Sequence, residues 1–243
     1  ISLLQDILPD GETHKMQEAV CQSSHAVVFN SEFTRSKYCT DELAKQGRVP
    51  VIPLPVDFSL FEPQNAMGCQ QALGLPDGCV LWVGASQGAA GQVKGFDAFL
   101  QVVRLNPDLN FVGVFKDALP ESVPPNLRVY ARLPHTELVK VIGACRVGLC
   151  TSRMESQHLA GIEMGACGLP MVAPSVGLYW NRHDIPGMVV PENATAHDYT
   201  QTIRLILAQG QANTDGIRAF WRKEFHHSVI RSAWAKLVEE VET

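Results

Sequence analysis

Glu155 and Glu163, with seven residues between them, are the side chains whose type and spacing best suit chemistry. They lie in the stretch 144–179, ACRVGLCTSRMESQHLAGIEMGACGLPMVAPSVGLY. A carboxylate accepts two hydrogen bonds from a vicinal diol such as that of a ribose or a hexose. Two of them beside a cation make a cradle for a sugar nucleotide. The same spacing also has a purely structural reading, with Glu163 on a helix surface and Glu155 set against a helix dipole. Lys94-Gly95 is the matching phosphate candidate, because it follows Gly84 and a glycine-rich loop over 85–93. Glycines let the backbone approach an anion, helix N–H groups face it, and lysine adds a point charge. The stretch contains neither GxGxxG nor GxxxxGK[ST].

These residues need elements to hold them. The pattern predicts a strand over 146–150, a polar loop over 151–156, and a helix over 159–166 stopped at 168–170, then a second strand over 171–173. Both carboxylates then flank a helix start at the C-terminal edge of a strand, where open α/β sheets bind ligands. Upstream, 80–83 reads as a buried strand ending at Gly84, and Lys94-Gly95 as the opening of a helix. Further strands are expected over 110–115, 127–133 and 187–190, and helices over 136–144, 196–207, 214–225 and 229–241. Strands that are apolar throughout and alternate with helices predict an α/β domain, a Rossmann-like parallel sheet with helices on both faces.

The N-terminal part is different. Residues 13–21 suit a helix, 26–29 a strand, and Asn30-Ser31 a cap for a helix over 32–46. One strand with flanking helices cannot form a domain, so this part reads as a small remnant of a first domain. Three prolines within 49–57 predict an extended connector, since proline fixes φ and removes a donor. A short helix over 66–73 should end at Gly74. The resulting division is 1–52, a first-domain remnant; 53–78, connector and short helix; 79–225, the main domain; and 226–243, a closing helix.

Composition excludes several classes. Hydrophobic residues make up 46% of the 243 and charged ones 19%, so the chain is globular rather than disordered. A net charge of −5 gives no nucleic-acid footprint. No apolar run approaches the roughly 20 residues of a membrane helix. The seven cysteines fit no zinc spacing and read as free, mostly buried thiols of a reducing compartment. His226-His227 reads as a solvated helix junction without a third metal ligand. The chain starts at Ile1, not Met, which leaves targeting open.

The motifs together resemble the retaining glycosyltransferases of family 4. Their signature is a glutamate, seven residues, a second glutamate, small residues and a Gly-x-Pro turn into an apolar strand. Here that is Glu155, Glu163 and Gly168-Leu169-Pro170. AVVFNSEFTRSKY resembles the end of that family's first domain, VIPLPVDFSLFEP its interdomain connector, and VLWVG with Lys94-Gly95 the first strand and phosphate lysine of its donor domain. Residues 225–241 are similar to its closing helix. The resemblance covers roughly 20–243, in the family's order.

The resemblance implies a GT-B fold, of which this chain holds the C-terminal, donor-binding half. It implies transfer of a sugar from a nucleotide diphosphate sugar, with retention, to an acceptor left open. Lys94 would bind the diphosphate, and Glu155 the sugar hydroxyls, with backbone N–H groups of Gln157, His158 and Leu159 nearby. Glu163 would hold the ribose. Gly84 would allow close approach, and Arg132-Leu133 would lie near the base. Lys94 and Glu155 are thus the catalytic candidates. No metal or other cofactor is required where lysine and helix dipoles neutralise the phosphates.

The departures are specific. Ala85 replaces the family's arginine, leaving Arg153 or Arg132 to supply a second cation. Ser156 and His158 stand where glycines are common. Only 1–52 precede the connector, so the acceptor side falls to a missing segment, a partner chain or a dimer. Two other functions stay open: a non-catalytic nucleotide-sugar-binding module that needs a partner, and a sugar-nucleotide epimerase of the same architecture. The expected location is cytoplasmic, with a membrane surface left open.

Overall fold

A computed structural model describes residues 1–4, 19–45 and 48–242. The first of its elements is β1 (Ser2–Leu4), parallel to β2 (Val27–Phe29). Of the helix expected over 13–21, residues 13–18 lie outside the described residues. Two short helices follow, α1 (Glu32–Tyr38) and α2 (Asp41–Lys45). The single helix expected over 32–46 is therefore broken. Cys39 is extended at φ −78 and ψ 96, and the Thr40 hydroxyl accepts the Leu43 N–H at 3.2 Å, restarting the helix. Residue 46 lies outside the described residues.

The connector then runs extended, with Val51 bridging Phe29 and Val56 bridging His226. It leads to α3 (Ala66–Leu73), which ends at Gly74 in the left-handed region, φ 61. Next comes β3 (Val80–Gly84). The loop expected over 85–93 contains a helix, α4 (Gly88–Val93). Ala89 and Ala90 favour it, and Gly91 permits it, because a Cβ there would lie 2.6 Å from the Ser86 carbonyl. There follow α5 (Phe96–Leu105), β4 (Phe111–Phe115) and β5 (Leu127–Ala131). The strand expected to reach 133 stops at Ala131, because Arg132 turns into the left-handed region at φ 53. The remaining elements are α6 (His135–Ala144), β6 (Val147–Leu149), α7 (Leu159–Ala166), β7 (Met171–Pro174), a 3-10 turn over 177–179, β8 (Gly187–Val190), α8 (Ala196–Ala208), α9 (Thr214–Phe225) and α10 (His227–Glu242).

Strands β3 to β8 form one parallel sheet in the order β5-β4-β3-β6-β7-β8. Counted within the domain this is 3-2-1-4-5-6, the doubly wound order that binds ligands where the winding reverses. Here the reversal falls between β3 and β6.

Alternate residues of the strands feed opposite cores. Val80 and Trp82 join Phe99, Val102 and Ile203 under α5 and α8. Cys79 and Leu81 join Ile142, Ile162, Ile217 and Trp221 under α6, α7 and α9. Burial on both faces is why the strands are continuous apolar runs. A separate small core joins Ala26, Val28 and Ile52 to Ile230 and Leu237 of α10. The closing helix thus packs on the N-terminal segment.

Candidate functional site

Lys94 is placed by a junction of two helices. It is the C-cap residue of α4, and Gly95, at φ 65, is the N-cap residue of α5. Only glycine fits at 95, since a Cβ would sit 1.9 Å from the Thr151 carbonyl oxygen. Thr151 follows β6 and ties the two switch-point loops together. Its hydroxyl accepts Trp82 Nε1–H at 3.0 Å and faces the Lys94 and Gly95 carbonyls at 3.2 and 3.0 Å. The carbonyl ends of β3 and β6 are thereby locked side by side.

Across this lock, Lys94 Nζ reaches Glu155 Oε1 at 2.6 Å. Ser152 Oγ donates to the same oxygen at 2.6 Å. The Glu155 side chain is 7% exposed and that of Lys94 33%, so a buried carboxylate lies under a cation at the surface. Burial pushes the Glu155 carboxyl up. In the acid range where the carboxyl titrates, the His158 ring, itself taking a proton there, and the Lys94 ammonium, with hydrogen bonds from Lys94 and Ser152, outweigh it and hold the group below its ordinary range. Gly177, at φ 56, closes over this carboxylate, and a Cβ there would lie 2.7 Å from Glu155 Cβ.

His158 precedes α7 in the left-handed region, φ 72. The backbone takes a shape that glycine adopts freely, at a cost of about 1 kcal/mol for another residue. Its Nδ1 pairs with the Tyr179 hydroxyl at 2.8 Å. Gly161 leaves room for that pair, for a Cβ there would meet Tyr179 Oη at 1.9 Å. Burial drives the His158 pKa down to about 4, against the pull of Glu155, so the ring is neutral at pH 7.

The other predicted residues are placed as follows. Glu163 is half-buried on α7, and burial raises its carboxyl while His135 opposes this. Leu159, the first residue of α7, is exposed, whereas Gln157 is buried with its amide on Leu54. Gly84 ends β3, where a Cβ would strike the Trp82 ring at 2.5 Å. Arg132 is exposed, with its N–H on the Phe115 carbonyl at 2.8 Å, and Leu133 packs partly into the core. Arg153 directs its guanidinium at Asp97, 2.5 Å away. The structure therefore brings Lys94 and Glu155 into one contact, with His158 beside them. Neither arginine joins that contact.

Several residues were missed. Asp117, after β4, accepts the Ser86 and Gln87 N–H groups at 2.9 and 2.8 Å, holding the turn that follows β3. Ser152 and Thr151 were also missed. A hydroxyl three residues before Glu155 was the one local signal for Ser152. As for metals, ligand atoms of Cys150, Glu155 and His158 lie within 4.8 Å of one another. It is the one such trio among the described residues, and the Lys94 ammonium already lies on its carboxylate. Cys79, Cys145, Cys150 and Cys167 are buried thiols, and Cys39 and Cys69 are half-buried.

Residues 78–209, more than half of the chain, match the model of the family described as glycosyl transferases group 1. The chain belongs to that family. Among curated relatives, it is 27% identical over 169 residues to a D-inositol 3-phosphate glycosyltransferase of Segniliparus rotundus, covering 63% of this chain and 38% of the relative. It is 29% identical over 199 residues to the enzyme of that name from Acidothermus cellulolyticus, covering 72% and 44%. The chain thus spans less than half of these relatives. Among solved structures, sucrose-phosphate synthase from Thermosynechococcus elongatus matches with TM-score 0.80 at 21% identity, over 95% of this chain and 62% of that one. Anabaena Alr3699/HepE in complex with UDP-glucose matches with TM-score 0.77 at 17% identity, over 98% and 71%.

The GT-B likeness rests on these superpositions. Within this group 1 glycosyl transferase domain, the matched span holds every predicted site residue, from Gly84 to Glu163. No helix among the described residues is long and apolar enough to cross a membrane.

Proposed function

We propose that this chain carries the donor-binding half of a retaining glycosyltransferase that uses a nucleotide diphosphate sugar. The observation that carries the reading is the Lys94–Glu155 pair at the reversal of a 3-2-1-4-5-6 sheet. One cation and one carboxylate there match the two ends of a sugar diphosphate.

In this reading the donor separates the pair. Lys94 turns to the diphosphate oxygens, and Glu155 accepts hydrogen bonds from sugar hydroxyls. Backbone N–H groups of Gln157, His158 and Leu159 at the start of α7 complete the cradle. Glu163 takes the ribose diol, Gly84 gives close approach, and Arg132 with Leu133 lies toward the base. As the sugar–phosphate bond breaks, charge grows on the leaving diphosphate, and Lys94 stabilises it electrostatically. Retention follows from attack on the face the leaving group departs from, with no protein nucleophile assigned. No metal is required in this scheme.

Calorimetric titration with UDP, GDP and ADP tests the reading, with Lys94→Ala and Glu163→Ala as controls. UDP comes first because a solved relative in fold holds UDP-glucose. Saturable binding of one nucleotide, weakened by both substitutions, is expected. No binding, or binding indifferent to both, would sink it. Donor turnover by the chain alone, against turnover only with an added second chain, separates an enzyme from a donor-binding module.

A further inference from the structure

Gln157 lies between Glu155 and His158, and both ends of its amide go to one residue of the connector. Oε1 accepts the Leu54 N–H at 2.7 Å, and Nε2 donates to the Leu54 carbonyl at 2.8 Å. Leu54 stands between Pro53 and Pro55. Neither proline has an N–H, so Leu54 offers the one backbone donor across 53–55. On one side, Ile52 N–H is tied to the Phe29 carbonyl of β2 at 2.8 Å. On the other, Val56 N–H is tied to the Phe225 carbonyl at the end of α9 at 3.1 Å. Between those two anchors, the chain passes from the N-terminal segment to the main domain, and its tie there is to the loop that carries Glu155.

We infer that the Gln157 side chain is a positioning residue that makes the connector and the 151–158 loop open and close as one body. A ligand that orders the loop then also orders the connector, and by linkage the tie strengthens that ligand. This ligand-dependent half rests on the proposal that Lys94 and Glu155 hold a nucleotide sugar.

Amide hydrogen exchange of the full chain, read by NMR, tests it. In the parent protein, Leu54 N–H and Arg153 N–H, the latter bonded to the Val93 carbonyl at 2.8 Å, should show protection factors within about threefold of each other. Gln157→Ala should speed Leu54 exchange by about tenfold or more, as expected for two lost hydrogen bonds, and leave Arg153 unchanged. Saturating UDP should slow both amides in the parent but only Arg153 in Gln157→Ala. Gln157→Glu supplies a pH readout that a passive filler would lack. Its protonated acid keeps a donor and an acceptor, so Leu54 stays protected at low pH. Its ionised form sets an oxygen against the Leu54 carbonyl, so protection falls as pH rises through that pKa.

Unequal protection of the two amides in the parent would overturn the inference, as would equal slowing of Leu54 by UDP in both proteins. If UDP does not bind, the functional proposal fails, and the ligand-free comparison still decides the tie.

Discussion

Replacing Lys94 by methionine keeps the aliphatic stem and removes the ammonium from a carboxylate that is 7% exposed. Glu155 then retains the Ser152 hydroxyl at 2.6 Å and loses its cation. Breaking a fully buried ion pair costs about 3–5 kcal/mol. Lys94 is one-third exposed, so water screens the loss, and the cost at neutral pH is about 1–3 kcal/mol. The pH dependence is the sharper test. In the parent, the Glu155 carboxyl is held below its ordinary 4.5, so its contribution is present above that pH and lost as pH falls through the folded pKa. Burial is the largest influence on this group, and it acts upward. Without Lys94 the folded pKa rises, held back by the pull of His158 and the Ser152 hydrogen bond that remain, so the stability Glu155 contributes above its ordinary pKa shrinks. The two proteins should therefore converge in stability as pH falls through the folded pKa of the parent and diverge to the full difference by pH 7. Urea unfolding across that range measures it. At pH 7, the fall in Tm should be about 2–4 °C per kcal/mol for a chain of this size. A stability gap that does not change with pH, or a Glu155 pKa no higher in Lys94→Met than in the parent, would refute the reasoning.

Gly95→Ala should destabilise by about 3 kcal/mol or more, because its Cβ meets the Thr151 carbonyl at 1.9 Å. Gly78→Ala, at φ 81 with nothing within 4 Å, should cost only about 1 kcal/mol, and paired denaturation curves compare them. Arg218→Lys should lower Tm clearly, since the guanidinium serves the Phe58, Phe61 and Ala166 carbonyls together and an ammonium has no such fork. If Lys restores full stability, the fork is not what holds the connector. Among the thiols, burial raises Cys150 and Cys167 to about 12, so a disulfide reagent at pH 8 should modify half-buried Cys39 before either. Mass spectrometry of the first adduct reads this directly, and early labelling of Cys150 would contradict the packing.

Much of the fold was legible because its signals are local. Helix α7 runs from Leu159 to Ala166 as its small-residue pattern and the stop at Gly168 indicate, and α9 begins and ends where the pattern places it. Gly74 ends α3 for a reason that requires only its own φ. Where local signals competed, the sequence misled. The apparent helix over 32–46 hides a break at Cys39-Thr40, and the glycines of 85–93 mask α4.

For the site, residue types and order in the sequence alone singled out Lys94, Glu155 and Glu163 as candidates. They did not determine which of them meet. That was decided by the sheet order, which sets β3 beside β6 and brings residues 61 positions apart to 2.6 Å. Asp117 under the turn after β3, Thr151 between two loops and Gln157 on Leu54 have the same origin. Thr151 and Gln157 are polar groups that had to find a partner once burial removed their water, Asp117 is half-buried under backbone N–H groups, and only the packed chain determines which partner is within reach.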